Sequence, residues 1–68
     1  MNSENLTETA LQVKKEIKVA LLEKNMSQVE LAEKIGEGVV QVNRAIAGDV
    51  SPKSVKIRGK IYRTLEMI

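Results

Sequence analysis

The chain has 68 residues, with 11 Lys and Arg against 9 Asp and Glu, a net charge of +2, and neither Cys nor His. This length allows one domain, and the missing Cys and His exclude disulfides, thiolate metal sites and the commonest general base, so we expect a non-enzyme with no catalytic residue, metal or cofactor. No apolar run reaches membrane-spanning length and no signal peptide is recognisable, which predicts a cytoplasmic protein.

The N-terminal segment is polar, and we expect residues 1–8 to form a flexible arm before a single domain over residues 9–68. From about Thr7, apolar residues recur at intervals of three and four, which predicts an amphipathic first helix to about Lys24. Thr7 or Thr9 is the expected N-cap. The residues of its apolar face are Leu6, Ala10, Val13, Ile17 and Leu21.

The second helix has clear local start and stop signals. Ser27 is followed three residues later by Glu30, which is the spacing of a capping box, and Gly36 suits the left-handed position after the last turn. These signals predict a helix over residues 28–35, whose inward residues are Leu31, Ala32 and Ile35.

The third helix is predicted to start near Gly38 or Val39 and to end near Ala47, because Gly48 follows. Val42, Ala45 and Ile46 would form its inward face.

A last helix over about residues 53–66 follows Ser51-Pro52, which suits an N-cap with proline at the first helical position; Ser54 is a competing cap. Gly59 inside it marks either a close helix contact or a break into two short helices. Its apolar stripe would contain Val55 or Ile57, then Ile61, Leu65 and Ile68. The chain is therefore predicted to be all-α, a small bundle of four to five helices containing a helix-turn-helix.

Three residues lie at the positions that a helix-turn-helix requires. Ala32 is small where two helices would cross, Gly36 allows a tight turn, and Val42 would fill the angle between the helices. On these and their neighbours, residues 28–47 resemble the motif of the phage Cro and repressor family, also called the xenobiotic-response-element family. The resemblance covers roughly residues 10–65. The matching residues are Gln28, Leu31, Ala32, Ile35, Gly36, Val42, Asn43, Arg44, Ala45 and Ile46.

This resemblance implies a DNA-binding domain whose third helix, residues 38–47, enters the major groove. It implies phosphate contacts from Ser27 and Gln28 at the start of the second helix. The positions that it places against the groove are Gly38, Val39, Val40, Asn43 and Arg44.

The roles implied at those positions differ with side-chain chemistry. Arg44 would pair with guanine or grip a phosphate, unless it forms an ion pair with a nearby Glu; Asn43 would read adenine or bind phosphate. Val39 and Val40 would touch thymine methyls, add to the core, or form a patch for a protein partner. The last helix is similar to the third-helix region of lactose-repressor-type proteins, and its candidate phosphate contacts are Lys53, Ser54, Lys56 and Arg58.

The distribution of charge favours this interpretation, because residues 1–34 carry a net charge of −1 and residues 35–68 a net charge of +3. We therefore predict a sequence-specific transcriptional regulator, phage- or mobile-element-like, that binds double-stranded DNA. A homodimer would form through the C-terminal helix or on DNA.

A different class of function is also open. The third helix begins Glu37-Gly38-Val39-Val40, with Glu37 in place of the family's apolar turn residue and valines in place of polar reading residues. Such a start suits a dry protein contact, so the alternative is a protein-interaction module that does not read DNA: an antirepressor, an antitoxin or a modulator of a repressor.

Overall fold

The computed structural model describes the backbone of residues 2–67 and the side chains of residues 9–67. Over these residues the chain forms four helices and no strand, which confirms the all-α prediction: α1 (Asn2–Glu23), α2 (Gln28–Ile35), α3 (Val39–Ile46) and α4 (Pro52–Thr64). None of these helices has the length and apolar character needed to cross a membrane.

The helix boundaries differ most from the prediction at the start of α1. This helix begins at Asn2 instead of near Thr7, so Thr7 and Thr9 both lie inside it, and the prediction that one of them is the N-cap was wrong. Threonine at these positions is compatible with helix because its modest propensity is outweighed by an amphipathic pattern. The flexibility predicted for residues 1–8 stays a prediction.

The helix ends in the middle of the chain follow the local signals. Ser27 Oγ accepts the Glu30 N–H at 3.0 Å and the Glu30 carboxylate accepts the Ser27 N–H at 2.8 Å, which completes the capping box. Gly36 ends α2 with a φ of 72°, a left-handed conformation that glycine adopts without strain. Ser51, not Ser54, is the N-cap of α4.

The core lies where the four helices meet. Of the two residues left open on α4, Ile57 is buried and Val55 is exposed, and α4 continues through Gly59 without a break. A Cβ at Gly59 would meet only the Arg63 guanidinium of the same helix. Both alternatives predicted for Gly59, a break in the helix and a close contact with another helix, are therefore wrong. Ile68 lies outside the described residues. The buried apolar residues are Ile17, Leu21, Leu31, Ala32, Val42, Ala45, Ile46, Ile57, Ile61 and Leu65.

Gly48 lets α1 approach the end of α3 closely. Its φ is 100°, and a Cβ built on it would lie 2.9 Å from the Ala10 Cβ. Both the backbone conformation and the space therefore require glycine. This contact positions α1 behind α3, so that the opposite face of α3 is left to solvent.

Candidate nucleic-acid interface

The outward face of α3 is formed by residues that a helix period of about 100° per residue places together. Val40, Asn43 and Ala47 lie along its centre, and Val39 and Arg44 lie on its two sides; all five are exposed. Val40 is 64% and Val39 is 39% exposed, so neither valine belongs to the core, which was one of the three readings. The inward face consists of Val42, Ala45 and Ile46.

The polar side chains of this face bind no other residue within the described part of the chain. There, neither Asn43 nor Arg44 makes a side-chain hydrogen bond or an ion pair, so the ion pair considered for Arg44 is not formed with a described Glu. The charge of Arg44 nevertheless contributes to lowering the pKa of Asp49. The face thus presents an amide and a guanidinium whose hydrogen-bonding capacity is available to a ligand.

The turn between α2 and α3 carries a charge that α4 neutralises. The Lys60 ammonium donates a hydrogen bond of 2.6 Å to Glu37 Oε2, and this bond is the main reason why the pKa of Glu37 lies below its ordinary value. Lys53 and Lys56 lower the same pKa through their charges. Glu37 therefore does not offer an uncompensated negative charge beside α3. Gly38 is the N-cap of α3 and supplies no side-chain cap, as its residue type requires.

At the start of α2, Ser27 already has part of its hydrogen-bonding capacity engaged. Its Oγ accepts from Glu30 and its N–H donates to the Glu30 carboxylate, but the hydroxyl hydrogen is left for donation to a ligand. Gln28 is half-buried beside it and has no side-chain hydrogen bond to a described residue. The two residues stand at a helix N-terminus, where the macrodipole favours an anion.

At the junction between α3 and α4, two of the residues predicted to contact phosphate form hydrogen bonds within the chain. Ser54 is 3% exposed and its hydroxyl donates to Asp49 Oδ2 at 2.6 Å. Arg58 donates from one guanidinium nitrogen to the carbonyl oxygens of Ala45 at 2.8 Å and Asp49 at 2.7 Å. These two side chains hold α4 against the end of α3, and the phosphate contacts predicted for them stay predictions.

Asp49 is the acceptor around which this junction is built. Its Oδ2 accepts from the Ser51 hydroxyl at 2.6 Å as well as from Ser54. Hydrogen bonds from these two serines are the main cause that holds the pKa of Asp49 below its ordinary value. The carboxylate therefore fixes the entry angle of α4.

Four basic residues fall along one face of α4, at a spacing of three, four and three residues: Lys53, Lys56, Lys60 and Arg63. Lys53 and Lys56 are exposed and make no ion pair with a described residue. Because Lys60 donates a hydrogen bond to Glu37 in the turn before α3, this face lies beside the N-terminal end of α3. Lys60 and Arg63 were not among the predicted site residues, although the helical spacing of the basic residues places them on this face.

Comparison with known proteins gives one match. The sequence model of a protein family described as helix-turn-helix matches residues 17–57, a segment that contains every predicted site residue except Arg58. No curated protein and no solved structure matches the chain.

Proposed function

Because the chain belongs to the helix-turn-helix family of the Cro and repressor type, a DNA-binding regulatory family, we propose that it is a sequence-specific transcriptional regulator, phage- or mobile-element-like, that binds operator duplex DNA. Residues 38–47 would lie in the major groove. The observation that carries this proposal is the outward face of α3, whose Asn43 and Arg44 have no described partner, next to the basic face of α4.

The phosphate contacts in this proposal come from two helix starts. Ser27 and Gln28 would bind one phosphate at the N-terminus of α2, and Lys53 and Lys56 would bind others at the start of α4. Such contacts set the register of α3 in the groove, whereas Gly38, Val39, Val40, Asn43 and Arg44 approach the bases. Binding should weaken steeply with salt, because each phosphate contact releases counterions.

A second copy of the chain is part of the proposal. A helix as short as α3 spans few base pairs, and family proteins commonly place two such helices in half-sites about one turn of DNA apart. We propose a dimer that forms through the C-terminal end of α4 or only on DNA, in the cytoplasm. Met67, just after α4, packs against the core, so its side chain is not expected to form this contact.

One observation favours the second candidate, a protein-interaction module such as an antirepressor or an antitoxin. Val39 and Val40 are exposed at the start of α3, and the outer face of α1 exposes Leu11, Val19 and Leu22, of which Leu22 is 79% exposed. Exposed apolar groups of this kind are commonly covered by a protein partner.

The experiment that separates these candidates is selection of duplexes from a random library by the full chain, followed by fluorescence anisotropy at two salt concentrations. Enrichment of a consensus, with affinity falling as salt rises, is the expected result. Equal binding to all duplexes would contradict sequence specificity, and absence of binding to any duplex at low salt would favour the interaction module.

A further inference from the structure

We infer that the centre of the α3 face reads A·T pairs through the thymine 5-methyl group, so that the half-site contains thymines whose methyls are required. Val40 and Ala47 contact the methyls, and Asn43 between them pairs with adenine. This inference rests on the proposed function and specifies the bases that the site recognises.

The apolar groups at the centre of the face determine what can lie against it. Val40 is 64% exposed and Ala47 is exposed at the C-cap of α3, where the helical hydrogen bond from the Ala47 N–H to the Asn43 carbonyl oxygen keeps the helical register. In the major groove the thymine methyl is the apolar group on a base edge. A valine against any other base edge would desolvate donors or acceptors without pairing them, which is unfavourable.

Asn43 adds a polar contact that also selects A·T pairs, because it binds the adenine. Its amide lies between Val40 and Ala47 on the helix surface and has no described hydrogen-bond partner. Asparagine matches the adenine N6 and N7 groups bidentately. The seven helical steps from Val40 to Ala47 rise about 10 Å along the helix, the height of about three base-pair steps, so neighbouring pairs are within reach of the three side chains.

The sides of the α3 face offer no free carboxylate that would bind cytosine within the described chain. A carboxylate would accept from the cytosine amino group, but the only acidic residue at this end of α3 within the described chain, Glu37, accepts the Lys60 ammonium instead. Arg44 is exposed at the side of the face, where it would reach a guanine or a phosphate next to the A·T pairs. The centre of the face therefore favours A·T over G·C.

The test uses the duplex enriched from the random library, with each thymine replaced in turn by uracil, which removes one methyl and keeps every hydrogen-bonding group. We expect a loss of about fourfold in affinity at one or more thymines of the consensus, which is the effect of one buried methyl. In Val40→Ala the penalty at a thymine contacted by Val40 should shrink below about twofold. Val19→Ala, an exposed valine on the outer face of α1, is the matched control and should keep the full penalty.

Two results would overturn the inference while leaving the proposed function intact: uracil tolerated at every thymine of an enriched consensus, or an identical penalty in the wild type and in Val40→Ala. If no consensus is enriched, the proposed function fails first and the inference with it. Circular dichroism of both variants shows whether they are folded.

Discussion

The Lys60 ammonium and the Glu37 carboxylate, 23 residues apart in sequence, are joined by a hydrogen bond of 2.6 Å between α4 and the turn before α3. The Glu37 side chain is only 16% exposed and that of Lys60 33% exposed, so this ion pair is partly shielded from solvent. The pair brings a negative charge and the basic face of α4 to the end of α3 that would approach DNA. The Glu37–Lys60 pair therefore weakens the electrostatic attraction between the basic face of α4 and phosphate.

Replacing Glu37 by Gln is expected to strengthen binding to duplex DNA about three- to tenfold at low salt, because it removes a charge of the same sign as phosphate and releases Lys60. The slope of log affinity against log salt should steepen by about 0.9 if Lys60 gains one phosphate. Fluorescence anisotropy at several salt concentrations measures both. Glu23→Gln, at the exposed end of α1, should change neither; unchanged or weaker binding by Glu37→Gln would contradict the account.

Replacing Arg44 by Ala is expected to weaken binding to the enriched duplex about five- to hundredfold, the range for loss of a bidentate guanine contact. The melting temperature should hardly change, since Arg44 is exposed and makes no described hydrogen bond or ion pair. Lys18→Ala on α1 removes an equal charge from another surface and is the matched control. Equal effects of the two substitutions on affinity would mean that only net charge matters at this position.

Two glycines with left-handed backbones should respond unequally to alanine. At Gly36, with a φ of 72° and no atom within 4 Å of an added Cβ, the cost is backbone strain alone, about 1 kcal/mol. At Gly48, with a φ of 100°, the added Cβ would also lie 2.9 Å from that of Ala10, so the cost should exceed about 2 kcal/mol. Urea denaturation of both variants measures the difference. An equal or smaller loss in Gly48→Ala would show that α1 does not pack there.

These glycines and the serine caps illustrate what the sequence is able to predict. The capping box at Ser27, the end of α2 at Gly36 and the N-cap at Ser51 depend on hydrogen bonds within a few residues, so local spacing is sufficient to recognise them. The start of α1 was misplaced because the sequence before Thr7 is mostly polar, so the apolar periodicity that predicts the helix becomes recognisable only after its actual start.

The roles of side chains on α4 were not predictable in the same way. Ser54 and Arg58 have the residue types of phosphate contacts, yet they bind Asp49 and the carbonyl oxygen of Ala45 because of how α4 docks on α3. The pairing of Lys60 with Glu37 likewise depends on tertiary packing across 23 residues. The exposure and the hydrogen-bond partners of such side chains depend on how the helices dock, and a local sequence pattern does not predict this docking.

Protonation of Asp49 should weaken the fold in acid. Hydrogen bonds from Ser51 and Ser54 lower its pKa from the ordinary value of 3.8, so the charged form stabilises the folded state above that value. This contribution is lost as pH falls from near 3.8 through the lowered pKa of the folded state. Melting temperatures should therefore fall more steeply between about pH 5 and pH 2 in the wild type than in Asp49→Asn. Parallel curves for the two proteins would contradict this role.

We propose above all that α3 enters the groove of duplex DNA. It is tested most directly by amide NMR shifts of the full chain with the enriched duplex at low and high salt. We expect the largest shifts at Gln28 and over residues 38–47, smaller shifts at Lys53 and Lys56, and a decrease of all of them at high salt. Shifts absent at low salt, or confined to the outer face of α1 around Leu22, would contradict DNA binding by α3.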